Sequence, residues 1–242
     1  MSGIDRFNKT QTFKFQEPMM EDKKQYKKLC VCLDPGHAES TPGKRSPYSL
    51  GYVTEPELDF YEYKFNRIIC DKLKPLLEEY GIDVFITTTE EDDGNRDVGL
   101  LSRAQRANNH VIIAKKKGIF LSIHANAFGN GKDWDSVRGW SAYTTVGQNN
   151  SDKLADCLYY YADEIFPEKD MKVRKNTQDG DPDYEENFTV IYKSNMPAVL
   201  IENFFYTNIK DAEYLLSEEG EDDIVEVILK GILKFADEVY KM

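Results

Sequence analysis

Leu29-Cys30-Val31-Cys32-Leu33-Asp34-Pro35-Gly36-His37 is the stretch on which the reading of this chain turns. Five apolar residues followed by Asp34, Pro35 and Gly36 read as a buried strand entering a turn. Downstream, Phe65, Ile69, Leu73, Leu76 and Tyr80 form the stripe of an amphipathic helix over about 58–80, closed by Gly81 at its C-cap. A strand over 84–88, an acidic loop over 90–93 and a helix over about 102–117 follow. Gly118 then leads into a second apolar strand, Ile119 to Ile123.

A Gly-rich loop over 128–139 precedes a strand over 140–145, and Leu154, Cys157, Leu158, Tyr161, Ala162 and Ile165 mark one face of a helix. The segment 176–187 is acidic and turn-rich. Strands are predicted over 189–193 and 198–201, and a closing helix carries Ile224, Val227, Ile228, Gly231, Ile232, Phe235 and Val239 on one side. Strands alternating with helices predict an α/β fold: a single domain, a mostly parallel mixed sheet with helices on both faces. Without repeats or a Pro/Ser linker, residues 27–242 read as that domain and residues 1–26 as an N-terminal arm with few apolar anchors.

Composition narrows the function. The 242 residues are 40% hydrophobic and 12% aromatic, as a folded protein requires, and 31 Lys+Arg against 43 Asp+Glu give a net charge of −12. That balance argues against nucleic acid or anionic lipid as a partner. The first twenty residues lack a signal peptide's apolar core and no run is long enough for a membrane span, so the expectation is synthesis in the cytoplasm. The four cysteines, Cys30, Cys32, Cys70 and Cys157, form no CxxC motif and read as free thiols.

Three apolar strands each end in a residue that binds metals or moves protons: His37, His124 and Glu202. The carboxyl ends of parallel strands form the ligand-binding rim of such sheets, so these residues can meet in one crevice. Extending the helix stripe back by three residues from Phe65 reaches Glu62, which puts a carboxylate in line with the core. A buried carboxylate must be paired, neutralised or bound to a cation. His37, Glu62 and His124 together make the two-imidazole, one-carboxylate set of a catalytic zinc site with a position left for water. Taken singly, each has an ordinary alternative: His37 a loop residue, Glu62 a solvated acid in a first helical turn, Glu202 the partner of an arginine. The third histidine, His110, reads as a surface or packing residue. Convergence at comparable strand ends favours the joint reading.

These residues resemble the zinc-dependent N-acetylmuramoyl-L-alanine amidases of the Amidase_3 type. Leu33 to His37 is similar to the family's opening ligand motif, and Glu62 with Asn66 and Leu73 to its E-x-x-x-N helix. Ser122 to Asn126 resembles the segment of the second histidine, and Pro197 to Glu202 the segment of the catalytic glutamate. Leu100 with Arg103, Ala107 and Asn108, and later Thr207, Asn208 and Asp211, are similar to its secondary signatures. Thr41 to Pro47, with Glu202 to Phe205, resembles a lysin-like subgroup of phages and Bacteroidetes. Asn203 and Phe204 stand where Leu and Gly are usual.

The resemblance implies a peptidoglycan substrate, cleaved at the amide between N-acetylmuramic acid and the L-alanine of the stem peptide, by a monomer acting on the cell wall after release from the cell. Zn2+ on His37, Glu62 and His124 would acidify a water and polarise the carbonyl, while Glu202 would take the water's proton and pass it to the leaving amine. Lys44 and Arg45 could meet stem-peptide carboxylates, and Asn126, Trp140 and Tyr192 could face sugar or peptide. Arg103 reads as a brace for the acidic loop. The alternatives are a zinc peptidase or carboxypeptidase cutting within the stem, and a non-catalytic wall-binding module.

Overall fold

The computed structural model describes residues 26–94 and 96–242. The expected arm lies outside the described residues except for its last member, Tyr26. That residue is buried in the core and its hydroxyl donates to Asp237 Oδ1 at 2.8 Å.

Six strands form one sheet: β1 (Leu29–Pro35), β2 (Asp83–Ile86), β3 (Lys117–Asn126), β4 (Ser141–Thr144), β5 (Tyr184–Glu185) and β6 (Ala198–Phe205). Their order is β2-β1-β3-β6-β4-β5. The first four run parallel, β4 runs antiparallel to β6, and β5 pairs parallel with β4. Every residue of β1 is buried. Leu29, Val31 and Leu33 join the larger core, while Cys30 and Cys32 join a smaller one with Ala107, Phe120 and Leu200. Alternation to two apolar layers is why this strand reads as an unbroken hydrophobic run.

Helices α1 (Glu62–Glu79), α4 (Asn150–Ile165) and α7 (Glu218–Glu238) cover the larger core, with Ile69 and Leu73, Leu154 and Leu158, and Ile228 and Ile232 packed there. The other face carries α3 (Leu100–Ala114) and α5 (Thr189–Tyr192), and α6 (Ile209–Leu215) follows β6. All four cysteines are buried free thiols. Among the described residues no helix is long and apolar enough to cross a membrane.

Several elements differ from expectation. The Thr189 to Lys193 segment is helical, with Tyr192 N donating to Phe188 O and Lys193 N to Thr189 O. The helical turn buries Val190 and Ile191 in the smaller core, on the face shared with α3. The first long helix begins at Glu62 and not at Leu58, because Tyr61 is extended and bridges to Arg45. The helix expected to reach Lys117 stops at Ala114, where Lys115 turns left-handed (φ 54°) and Lys117 already belongs to β3. The acidic loop is a short helical turn, α2 (Glu90–Asp93).

Candidate active site

The crevice lies at the carboxyl ends of β1, β3 and β6. β1 delivers Gly36 and His37, and Gly36 N donates to Ile123 O at 2.9 Å, which draws the two strand ends together. A side chain at Gly36 would displace the His124 ring, since a Cβ there would stand 2.1 Å from its Cε1. His37 adopts φ 64°, a left-handed conformation that is strained for a residue with a side chain and is typical of functional sites. The two histidine rings meet edge to face, 4.9 Å between centroids at 87°.

Glu62 enters from the first turn of α1, 1% exposed. Its Oε1 lies 3.1 Å from His124 Nδ1 and 3.5 Å from His37 Nε2, and also accepts Ala125 N at 3.3 Å, while its Oε2 is buried with no partner. One ligand atom from each of the three residues fits within 4.8 Å, so they can hold a single metal ion. The electrostatics suit that role at His37 and Glu62. Burial lowers the His37 pKa to about 4, against a smaller opposing pull from Glu62, so the ring is neutral at pH 7 with a free lone pair. Burial disfavours ionised Glu62, but the hydrogen bond and charge of His124, with help from His37 and Lys44, outweigh it and hold the carboxyl below its usual range. Burial likewise opposes protonation of His124, and Glu62 overcomes it.

Glu202 stands in register with His124 across the β3–β6 pair. Its Oε2 is buried without a partner among the described residues. Burial, reinforced by the charge of Glu62, pushes its carboxyl up to about 7 despite the opposing charges of His124, Lys44 and Arg174. The strand is irregular just beyond it. The register shifts between His124 and Asn126, and Phe204 takes φ 59° with its ring buried against Phe166 and Tyr214.

A buried polar frame fixes the first ligand loop. Asn66, one turn after Glu62, donates from Nδ2 to Gly36 O at 2.9 Å. Asp34 accepts from Ser122 Oγ at 2.8 Å, from Thr87 Oγ1, and from Arg103 Nη1 at 3.0 Å. Arg103, 1% exposed, also donates to Pro35 O at 2.7 Å and to Asp97 Oδ1 at 3.1 Å. It therefore braces the His37 turn and not the acidic segment, which Arg106 holds through both oxygens of Asp93 at 2.7 and 2.8 Å. Sequence reasoning missed Asp97, whose Oδ2 lies 3.9 Å from His37 Nδ1, and gave no role to Asn203, whose Nδ2 donates to His124 O at 3.0 Å. Both connect segments remote in sequence, and no local pattern signals them.

The expected substrate-facing residues divide. Lys44 lies close enough for its charge to act on His37, Glu62 and Glu202, and its carbonyl accepts Glu62 N at 3.0 Å. Arg45 places its guanidinium 5.1 Å from the centre of the Tyr61 ring. Asn126, half-buried at the end of β3, turns its Oδ1 to its neighbour's Ala127 N at 2.8 Å. Trp140 is fully buried, its Nε1 donating to Asn203 Oδ1 at 3.1 Å and its ring packed on Tyr159, so it cannot face substrate. Tyr192 is exposed but stands with Ser194 and Asn195 ahead of the amino end of β6, away from the crevice.

Residues 31–234 match the family described as N-acetylmuramoyl-L-alanine amidase, Amidase_3. The chain is 27% identical over 205 residues to the endolysin of Bacillus phage SPP1, covering 84% of this chain and 64% of that protein. It is 25% identical over 240 residues to the N-acetylmuramoyl-L-alanine amidase AmiC of Neisseria meningitidis, covering 85% and 52%. It thus spans about half to two thirds of these curated relatives' length. Among solved structures, the N-acetylmuramoyl-L-alanine amidase of Clostridium difficile 630 superposes with a TM-score of 0.69 at 27% identity, covering 87% of this chain and 98% of that one. AmiC2 of Nostoc punctiforme gives 0.67 at 26% identity, with the same coverage. With a family match over residues 31–234 and a fold that superposes on solved members, the chain belongs to the N-acetylmuramoyl-L-alanine amidase (Amidase_3) family.

Proposed function

We propose that this chain is a zinc-dependent peptidoglycan hydrolase that cleaves the amide between N-acetylmuramic acid and the L-alanine of the stem peptide. The observation that carries the reading is Glu202: a buried carboxyl with an unpartnered oxygen, in strand register with one member of the His37–Glu62–His124 cluster.

The donor set fits zinc. Tetrahedral zinc with ligand distances of about 2.1 Å separates its donors by about 3.4 Å, against 3.1 and 3.5 Å from Glu62 Oε1 to the two imidazoles. Mixed nitrogen and oxygen donors suit zinc better than calcium or magnesium, which prefer oxygen alone. Bound there, zinc supplies Lewis acidity, lowering a water's pKa to about 7 and polarising the scissile carbonyl.

The chain's own groups do the rest. Glu202 accepts the proton of the attacking water at its carboxylate and returns it to the departing amine nitrogen of L-alanine, the double role of a positioned general base. Burial raises its pKa, and a cation on the neighbouring cluster would draw it down again, which favours the ionised form needed to take the proton. Asn66, Arg103 and Asp34 hold the His37 turn, so that ligand geometry is set before substrate arrives. Lys44, whose charge acts on His37, Glu62 and Glu202, would receive a carboxylate of the stem peptide.

Digestion of purified sacculi tests the reading. A new free amino group on L-alanine with muramic acid intact supports it. Cleavage within the stem peptide makes the protein a peptidase, and binding to sacculi without hydrolysis makes it a wall-binding module.

A further inference from the structure

Asp152, in the first turn of α4, and Asp181 and Asp183, in the segment ahead of β5, bring one carboxylate oxygen each to within 4.8 Å of one another. Asp152 and Asp183 are buried, at 3% and 0% exposure. Among the described residues none of the three is ion-paired with a lysine or arginine. The second observation is that Asp181 Oδ1 and Asp183 Oδ1 are both buried with no hydrogen-bond partner. The nearby donors are already spent. Gln148 Nε2 serves Asp181 Oδ2 at 2.6 Å, and Asn149 N serves Asp152. Thr144 Oγ1 lies 3.0 Å from Asp152 Oδ1 and 2.6 Å from Asp183 Oδ2, and its one proton can serve only one of them.

Three gathered carboxylates with buried, unpartnered oxygens must be neutralised, either by a proton shared between Asp181 and Asp183 or by a cation. We propose that Asp152, Asp181 and Asp183 form a calcium site, separate from the candidate active site, that pins the 176–187 segment to the start of α4 and the end of β4. The donors are all hard oxygens, which excludes a preference for zinc. Calcium accepts several carboxylates in a flexible shell, whereas magnesium gives up its waters reluctantly and is seldom held by an all-protein cage. The run Asp179-Gly180-Asp181-Pro182-Asp183 places acids at alternate positions of a turn-rich segment, so a single loop can turn more than one carboxylate toward an ion. The site lies away from Glu202: β4 pairs Ser141 with Glu202 and runs antiparallel to β6, so Thr144 lies beyond Tyr143, which is opposite Leu200.

Isothermal titration of the full chain with calcium chloride, after calcium is stripped on a chelating resin and zinc restored, tests the proposal. The expected result is saturable binding of about one calcium per chain with a dissociation constant of about 1 mM or tighter, in the range of extracellular calcium modules. Calcium at 100 times that constant should raise Tm by about 5 °C or more, with magnesium giving less. The variant carrying Asp181→Asn and Asp183→Asn should lose at least about tenfold in affinity and most of the Tm rise. If that variant does not fold, Asp181→Asn alone, at the partly exposed ligand, should show the weakening. No saturable calcium binding by the wild-type chain up to about 10 mM, or undiminished binding in the folded variant, overturns the proposal.

Discussion

Glu202 on β6 lies directly beside His124 on β3, as its register partner in a parallel strand pair. That one relationship brings a buried carboxyl to the His37–Glu62–His124 cluster using backbone geometry alone, with neither residue on a flexible loop. It also gives Glu202 its chemistry, because the same packing that aligns it strips its carboxyl of water.

The first prediction concerns pH. Glu202 must be ionised to act as a base, and burial raises its pKa to about 7, while a cation on the neighbouring cluster draws it down. The rate on sacculi should therefore fall as pH drops, with a midpoint below 7 in the zinc-loaded protein. A rate constant from pH 5 to 8 would count against the assignment. In metal-free protein the folded pKa exceeds the unfolded value, so stability is lost as pH rises from about 4.5 through 7. Glu202→Gln should then melt higher than wild type at pH 8, with little difference at pH 4.

Gly36→Ala should abolish metal binding. Its Cβ would fall 2.1 Å from His124 Cε1, so the ring must move and the ligand set opens. Gly99→Ala, with nothing within 4 Å of its new Cβ and an ordinary φ of −57°, should keep its zinc. Zinc content of the two proteins, measured side by side, decides whether the close approach at Gly36 matters.

Asn66→Ala leaves the Gly36 carbonyl without its buried donor, a loss of about 1 to 3 kcal/mol. Tm should fall and zinc should dissociate faster, since the turn carrying His37 loses its tether. Unchanged Tm and unchanged zinc release would show that the hydrogen bond contributes nothing.

Phe204→Gly pits two effects against each other. Glycine relieves a left-handed residue by about 1 to 2 kcal/mol, but it deletes a fully buried ring packed on Phe166 and Tyr214, worth about 3 to 5 kcal/mol. Packing should win, with net destabilisation of about 1 to 4 kcal/mol in denaturant unfolding. A stabilised variant would mean that the strain dominates.

Much of this architecture could be read from the chain because β1, β3 and β6 are central strands buried on both faces, which leaves unbroken apolar runs with chemistry at their ends. What could not be read depends on distant partners. Thr189 to Tyr192 carries the β-branched composition of a strand, yet it closes a helical turn that buries Val190 and Ile191 against residues remote in sequence. Leu58 to Tyr61 continues an apolar pattern, yet backbone pairing with Arg45 keeps Tyr61 extended, so the helix starts where Glu62 can point inward. Trp140 follows a glycine loop, as a rim residue would, but its indole N–H finds Asn203 across the sheet and the ring is buried. Two-residue β5 carries no periodicity long enough to detect.

The central claim is that His37, Glu62 and His124 hold the metal while Glu202 moves the proton. The most direct measurement is zinc content of Glu202→Gln, taken on the same preparation as its sacculus hydrolysis. The account predicts close to one zinc per chain with turnover reduced by about 100 to 10,000-fold, the usual contribution of a general base. Near-normal turnover would show that another group is the base, and loss of zinc would make Glu202 a ligand; either result contradicts the account.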